Sequence, residues 1–322
     1  MLEIAIANLT SIPVLAFLLG LIATRLGSDL RLPESIYQFI TIYLLLGIGI
    51  KGGVALSQSS PSEVIGPIGW TLALSILIPV LAYFSLPVFG KFSVSDRGAL
   101  AAHYGSTSLV TFTAAVVLLE SLQIYFEGFV VTLLAIMEIP GILVGLLIAK
   151  RFGGATGSLK DSAKEVLTGR SILLLSGGLM IGLLTGESGF VKVEPFFSGI
   201  FTGVLALFLL ELGIVAGRRI SDLKQDGFGL FLFAIVYPLA SGALGVATGH
   251  IAGLSMGGAT VLGVISASAS YIAAPAAVRL ALPEASPGKY LTASLGFTFP
   301  FNLSIGIPSL LAFSQFLEGV RF

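Results

Sequence analysis

The sequence predicts an all-α polytopic membrane protein with ten transmembrane helices in two inverted-topology repeats of five. Three observations lead to this fold class. The chain of 322 residues is 55% hydrophobic and only 11% charged, and its mean hydropathy is +1.01. A soluble domain of this size carries more charge, so this composition is typical of a membrane protein. The apolar residues fall into ten runs between polar or charged breaks. Similar features recur in the same order about half a chain apart.

Each run has roughly the length that a helix needs to cross a bilayer. In chain order the runs cover residues 4–24, 36–57, 64–89, 98–119, 126–149, 171–187, 195–217, 228–250, 257–280 and 290–316. The longest connection, 150–170, is polar and lies at the middle of the chain, where two repeats would be joined. We therefore expect an N-terminal repeat at 1–155, a cytoplasmic linker at 156–170 and a C-terminal repeat at 171–322.

The positive charges predict the orientation. Of the 17 Lys and Arg residues, only Lys51, Lys192 and Arg321 lie on the side of the predicted spans that carries the amino terminus. The other side is rich in Lys and Arg, which is typical of cytoplasmic loops. We expect both termini outside and a multi-pass location in the inner (plasma) membrane. The first run follows Glu3 without a Lys or Arg, so it does not resemble a signal peptide and is expected to be retained.

The elements of the two halves correspond in order. Gly20 in the first run matches Gly178 in the sixth. Pro79 in the third matches Pro238 in the eighth, and Ile139-Pro140 in the fifth matches Ile307-Pro308 in the tenth. Five spans per half is an odd number, so the two halves must cross the membrane in opposite directions. In secondary transporters this arrangement places the binding site at the interface of the halves, with broken helices in the core.

Two similar polar stretches lie in the fourth and ninth runs. They begin at Tyr104 and Ser266, a shift of 162 residues, and both place small and hydroxyl residues inside apolar segments. Hydroxyls at membrane depth are costly without partners. A break at Gly105 would direct backbone amides and a helix dipole at an anion, and the hydroxyl and carbonyl oxygens nearby suit a sodium ion. The alternative is that these residues only allow helices to pack closely.

Glu138 lies in the middle of the fifth run, two residues before Pro140. A carboxylate at this depth is a candidate for ion coupling unless it forms a structural pair, for which Lys51 and Arg279 are the possible partners. Asn302 in the tenth run could supply a neutral oxygen to the same cation.

Composition and motifs also exclude several functions. The formal net charge is zero, which gives no indication of nucleic-acid binding, and the chain has no cysteine and two histidines, too few for a His-rich metal site. The aspartates all lie in predicted loops, and no His-Glu-x-x-His motif is present. His103 near Ser106 leaves a Ser–His pair open, but such an enzyme would not explain the duplication. We expect no enzyme and no cofactor apart from sodium as coupling ion.

At these residues the sequence resembles the cyanobacterial sodium-dependent bicarbonate transporters and their bacterial relatives. The resemblance covers nearly the whole chain and is strongest at Gly105 to Thr111, Leu119-Glu120-Ser121, Glu138-Ile139-Pro140, and Val264 to Arg279 followed by Leu282-Pro283 and Tyr290. It implies a ten-span inverted-repeat fold, commonly a homotrimer, in which a core moves against a scaffold in an elevator-like fashion. The core would comprise spans 3–5 and 8–10, and the scaffold spans 1–2 and 6–7. A small PII-like regulator on the cytoplasmic face is a further implied partner.

The chain departs from the family pattern in the second motif. The best-known members have Ser-Ser-Ser-Asp-Ile-Ser-Gly-Pro, whereas Tyr271 replaces the aspartate and Ala273 the following serine here. The acid before Ile-Pro is commonly Asp in the family, so Glu138 keeps the charge on a longer side chain.

Together the residues and the resemblance predict a sodium-coupled symporter that imports bicarbonate or a similar small anion. A sodium–proton antiporter or a small organic-anion carrier is the alternative, and a non-transporting receptor or scaffold is a remote one. The expected substrate-binding residues are Gly105, Ser106, Thr107, Ser108, Ser268, Ala269, Ser270 and Tyr271. The expected sodium ligands are Thr107, Ser108, Thr111, Glu138, Ser268, Ser270 and Asn302.

Overall fold

The computed structural model describes residues 2–154, 156–220 and 223–319. This part of the chain is 82% helical and contains no strand. Its helices are α1 Leu2–Leu9, α2 Ile12–Arg25, α3 Glu34–Gln58, α4 Pro61–Phe89, α5 Val94–Gly105, α6 Leu109–Ser121, α7 Val130–Arg151, α8 Leu159–Thr168, α9 Arg170–Phe190, α10 Phe201–Ile220, α11 Leu223–Ile251, α12 Met256–Ser266, α13 Ala274–Ala281 and α14 Pro287–Gly319. The all-α prediction is confirmed. Arg321, which was assigned to the outside, and residue 155, at the predicted repeat boundary, lie outside the described residues.

Local sequence explains where most helices begin. Ser60 and Glu63 form a capping box before α4, and Pro61 occupies its first turn, where a missing N–H costs nothing. The hydroxyls of Ser93 and Ser255 cap α5 and α12 by accepting from backbone N–H groups. These caps lie at the membrane ends of apolar helices, where the first N–H groups would otherwise have no partner.

Eight helical segments in the described residues are long and apolar enough to cross a membrane, against the ten runs predicted. They are α3, α4, α5 and α6 taken together, α7, α9, α10, α11 and α14. The first predicted run is divided at Thr10 and Ser11 into α1 and α2, and the ninth is divided into α12 and α13. Within these divided runs, α2 and α12 are apolar but short.

Close glycine contacts hold four helices together. A Cβ placed on Gly20 of α2 would lie 2.1 Å from the Leu210 carbonyl of α10, and one on Gly49 of α3 would lie 2.5 Å from the Leu175 carbonyl of α9. Gly178 of α9 in turn faces Gly49. Only glycine permits backbones to approach this closely, as in other membrane helix pairs. The pairs α2–α10 and α3–α9 are joined by contacts between α3 and α10, and we call these four helices the scaffold group.

The remaining long helices form a second set of contacts, which we call the core group. Helix α4 packs on α5 and α7, α11 packs on α12 and α14, and α4 meets α11. The Tyr237 hydroxyl of α11 donates to the Ile78 carbonyl of α4. The bond joins the two helices beside Pro238 and Pro79, the matched prolines of the third and eighth runs.

Helix α14 contains two wider, π-helical segments, and each of them is followed by a proline. The π-helical segments Thr292–Thr298 and Asn302–Gly306 precede Pro300 and Pro308. Proline has no N–H and clashes with the carbonyl four residues earlier, so the preceding turn opens. Asn302 therefore lies at a locally irregular part of a membrane-spanning helix.

The predicted linker contains an unexpected helix, α8. Its first N–H groups are capped by Ser158, and the Ser162 hydroxyl donates to the Ala277 carbonyl of α13 at 3.0 Å. The Gly157 N–H donates to the Ala281 carbonyl at 3.1 Å. The polar linker is thus packed on the short helix α13.

Candidate functional site between two broken helices

Two helix breaks meet at the centre of the molecule. The first break, residues 106–108, separates α5 from α6, and the second break, residues 267–273, separates α12 from α13. The Ser268 hydroxyl accepts the Ser108 N–H at 2.9 Å, and the His103 carbonyl accepts the Ser270 N–H at 2.8 Å. The structure therefore brings together the two motifs that the sequence singled out.

A small cavity, the inner cavity, lies between these breaks. Its volume is about 20 Å³, and it is lined by Leu45, Thr107, Ser108, Leu109, Glu138, Ser171, Ser270, Tyr271 and Ile272. One water-sized species needs roughly 10–15 Å³ by the same measure. The cavity can accommodate a single dehydrated ion or one water molecule, and it is too small for a second occupant of similar size.

Hydroxyl oxygens line the inner cavity, and one of them has no protein partner. Thr107 is 4% exposed, and its buried hydroxyl makes no hydrogen bond with any described residue. Ser270 uses its hydroxyl to accept the Ala273 and Ala274 N–H groups at 3.3 Å each. Hydroxyl, carboxylate and carbonyl oxygens of this kind suit a hard cation.

Glu138 contributes the carboxylate of the inner cavity from the middle of α7. It is 7% exposed and forms no ion pair or hydrogen bond with any residue in the described part of the chain. The suggested structural partners lie elsewhere: the Lys51 ammonium is over the Phe201 ring at 5.3 Å, and Arg279 is exposed on α13. A buried carboxylate without a partner is costly and marks a candidate ion site.

Tyr271 closes the inner cavity on the side of the second break. Its hydroxyl lies 3.4 Å from the Ser108 hydroxyl, and its ring meets Phe299 edge-on at 5.5 Å between centroids. The side chain that replaces the family aspartate is therefore at the cavity wall and joins the two breaks.

Other predicted site residues lie around the inner cavity without lining it. The Asn302 amide donates to the Ala267 carbonyl at 2.8 Å, and the Thr111 N–H donates to the Ser108 hydroxyl at 3.3 Å. The Ser106 hydroxyl is buried without a partner among the described residues, and Ala269 is buried. Asn302 and Thr111 hold the shape of the breaks.

Gly105 has a packing role that its motif did not reveal. A Cβ on Gly105 would lie 2.7 Å from the Pro79 side chain and 2.8 Å from the Gly141 carbonyl, and a Cβ on Gly141 would collide with the Gly105 carbonyl. Helices α5 and α7 cross here backbone to backbone. The crossing brings Glu138, one turn before Gly141, to the level of the first break.

Two helix N-termini face the breaks. Helix α6 begins after Ser108, whose hydroxyl accepts the Thr111 N–H, and α13 begins at Ala274. The partial positive charge of each terminus favours an anion, while the carboxylate of Glu138 favours a cation. The site therefore presents complementary charges for a cation and an anion within a few residues.

Ser171 is a cavity residue that the sequence reasoning missed. It lies in the first turn of α9 and lines the inner cavity, yet it comes from the scaffold group and not from either motif. The only signal was a serine next to Arg170 at the start of the sixth run. A single serine at a membrane boundary is too common to stand out.

A profile of the Na+-dependent bicarbonate transporter superfamily matches residues 13–315, nearly the whole chain. The chain belongs to the Na+-dependent bicarbonate transporter superfamily. A comparison with curated proteins gives no match. Membership identifies a multi-pass membrane transporter and not an enzyme, and the name of the superfamily associates it with sodium and bicarbonate.

Proposed function

We propose that the protein is a sodium-coupled symporter that imports bicarbonate or a similar small anion. The observation that carries this proposal is the unpartnered carboxylate of Glu138 in a cavity of about 20 Å³ between two helix breaks. Superfamily membership supports sodium and bicarbonate as the transported pair.

Sodium is the species that the inner cavity suits best. The ion would offset the charge of Glu138 and bind oxygens of Thr107, Ser108 and Ser270, which line the same space. Without a cation the buried carboxylate costs several kcal/mol. Ser268, Thr111 and Asn302 would support this arrangement through their hydrogen bonds to the breaks.

The anion would be held by hydroxyl and amide groups at the two breaks, close to the sodium ion. The residues proposed for it are Gly105, Ser106, Thr107, Ser108, Ser268, Ala269, Ser270 and Tyr271. Bound sodium would attract the anion, and binding of each ion would raise the affinity for the other by the same factor.

Helix packing supports an inverted repeat and elevator-like movement. Exchange of the two halves converts the pair α2–α10 into α9–α3, and both pairs are observed with glycines at their closest approach. The same exchange relates the α4–α5 and α4–α7 contacts to the α11–α12 and α11–α14 contacts. The core and scaffold groups correspond to the mobile and static parts of the proposed mechanism. The homotrimer, the PII-like regulator, the inner membrane and the outward termini are proposed from the resemblance and the charge distribution.

Uptake of radiolabelled bicarbonate into proteoliposomes tests the function. We expect uptake with an inward sodium gradient and none when potassium replaces sodium. Uptake that is equal in both salts would contradict coupling. A sodium-driven change of internal pH without accumulation of label would favour the antiporter.

A further inference from the structure

We infer that the N-terminus of α9 forms a second anion subsite, in a cavity that leads to the inner cavity from the side of the linker. This inference rests on the proposed function and adds an access route with its own binding residues. It assigns a role to the scaffold helix α9, which carries none of the residues predicted from the motifs.

The outer cavity has a volume of about 270 Å³, enough for a small anion with its hydration water. Its walls come from the ends of four helices, α3, α8, α9 and α13, together with the second break. The lining includes Glu34, Glu165, Arg170, Ser171, Ile272 and Ala276. Three side chains line both the outer and the inner cavity: Leu45, Ser171 and Ile272. The two cavities therefore adjoin at these side chains, and the outer cavity would become a route to the inner cavity when they move apart.

The backbone at the start of α9 offers donors to this space. Gly169 is the N-cap residue and has no side chain to cap the helix. In the described part of the chain, the N–H groups of Arg170, Ser171 and Ile172 have no acceptor, and the first bond of the helix is from Leu173 to the Gly169 carbonyl at 3.0 Å. A helix of 21 residues adds a partial positive charge at this point.

Ser171 points independently to a ligand at the same place. It is 7% exposed, lines both cavities and makes no hydrogen bond with any described residue. Because the hydroxyl lines both cavities and has no protein partner, it is free to bind whatever occupies them. Next to it, Arg170 lines the outer cavity and forms no ion pair with a described residue.

The acidic residues of the outer cavity lie at its mouth. Glu34 and Glu165 are both exposed, and the Glu34 carboxylate accepts from the Gln38 amide at 2.9 Å. Their charges are screened by water, as is that of the exposed Arg170, whereas Ser171 and the N–H groups of the first turn of α9 lie at the buried end of the cavity. The buried end of the cavity therefore selects an anion that accepts several hydrogen bonds, and bicarbonate has three oxygens for that purpose.

Cysteine labelling tests the subsite directly, because the chain has no native cysteine. Ser171→Cys is reacted with an anionic sulfonate and a cationic trimethylammonium thiosulfonate, applied from the linker side. Each rate is divided by the rate at Lys164→Cys, an exposed position on α8 that lines neither cavity. Ala276→Cys, on another wall of the outer cavity, is a second reporter should Ser171→Cys not fold.

We expect the sulfonate to be favoured at Ser171→Cys by roughly fivefold, the effect of one charge at a helix terminus. Bicarbonate should slow the reaction. No charge preference and no protection at Ser171→Cys or Ala276→Cys would overturn the subsite.

A kinetic experiment separates the subsite from the transport function. Ser171→Ala should raise the half-saturating bicarbonate concentration roughly fivefold at saturating sodium, as loss of one hydrogen bond does. Lys164→Gln should leave it unchanged. Wild-type uptake with equal values for both variants would refute the subsite alone. Absence of wild-type uptake would refute the proposed function, while protection of Ser171→Cys by another small anion would still support the subsite.

Discussion

In the proposed function, Glu138 is the residue that would make transport depend on sodium. Its carboxylate is buried without a partner among the described residues, so sodium is the simplest source of the missing positive charge. We expect Glu138→Gln to raise the half-saturating sodium concentration for uptake at least about tenfold, which corresponds to one charge interaction of roughly 1.4 kcal/mol. The measurement is a sodium titration of bicarbonate uptake.

The same substitution should not destabilise the protein. Removing a buried charge that has no ion-pair partner removes its desolvation cost and leaves no opposite charge behind. The melting temperature of purified Glu138→Gln in sodium-free buffer should be unchanged or higher. Glu284→Gln, in the exposed loop between α13 and α14, is the matched control. A folded Glu138→Gln protein with the wild-type sodium response would show that this carboxylate does not bind the coupling ion.

The residue at position 271 lines the inner cavity, so its charge would add to that of Glu138. Tyr271→Asp restores the acid of the resembling family beside Glu138, and two carboxylates in so small a space repel each other until a cation binds. We expect sodium to raise the melting temperature of this variant more than that of the wild type, because binding to the folded state alone stabilises it. Tyr271→Phe, which loses only the 3.4 Å contact with Ser108, should behave like the wild type. An equal sodium effect on Tyr271→Asp and Tyr271→Phe would contradict the prediction.

At the scale of the elements, glycine crossings fix the distances between helices. A Cβ on Gly213 of α10 would lie 2.1 Å from the Phe17 carbonyl of α2, whereas one on Gly203 of the same helix meets nothing within 4 Å. We expect Gly213→Val to separate α2 from α10 and to abolish a monodisperse, folded protein in detergent, since neither backbone can yield. Gly203→Val should preserve the elution profile and lower the melting temperature little. Equal behaviour of the two variants would mean that this crossing is not required.

The sequence could identify these elements but not all of their functions. Gly20 and Gly178 were recognised as matched positions, yet the sequence does not show that they face Gly213 and Gly49 on other helices. Gly105 was assigned to binding because it lies in a polar motif, and the structure adds that it packs against Pro79 and Gly141. A motif reports which residue types occur together, and only the helix crossing shows which of them pack and which line a cavity.

For the whole molecule, composition predicted the all-α membrane fold because the hydropathy of a helix depends only on its own residues. The number of spans was harder to predict, since a run of apolar residues does not reveal a division such as that at Thr10 and Ser11. Glu138 and Ser270 were both proposed from sequence and both line the inner cavity. Ser171 was missed because its place in the cavity wall depends on where α9 lies relative to the second break, which is about 100 residues away along the chain.

Elevator-like transport requires the core group to move against the scaffold group, which cross-linking can test in a chain without native cysteine. Gly128, two residues before α7, packs on Ala55 of α3 so closely that a Cβ there would collide with the Ala55 side chain. Ser59, which follows α3, and Tyr125, which precedes α7, line one cavity beside this contact, so cysteines at these two positions can be bridged by a short bis-thiosulfonate. We expect the bridge to abolish uptake and a dithiol to restore it. In the control, cysteines replace Gln58 and Glu187 and join α3 to α9 within the scaffold group. In the native protein the Gln58 Nε2 atom lies 3.2 Å from the Glu187 Oε2 atom. Bridging that pair should leave uptake intact, because neither helix has to move relative to the other. Undiminished uptake with positions 59 and 125 fully bridged would exclude movement between the two groups at this interface.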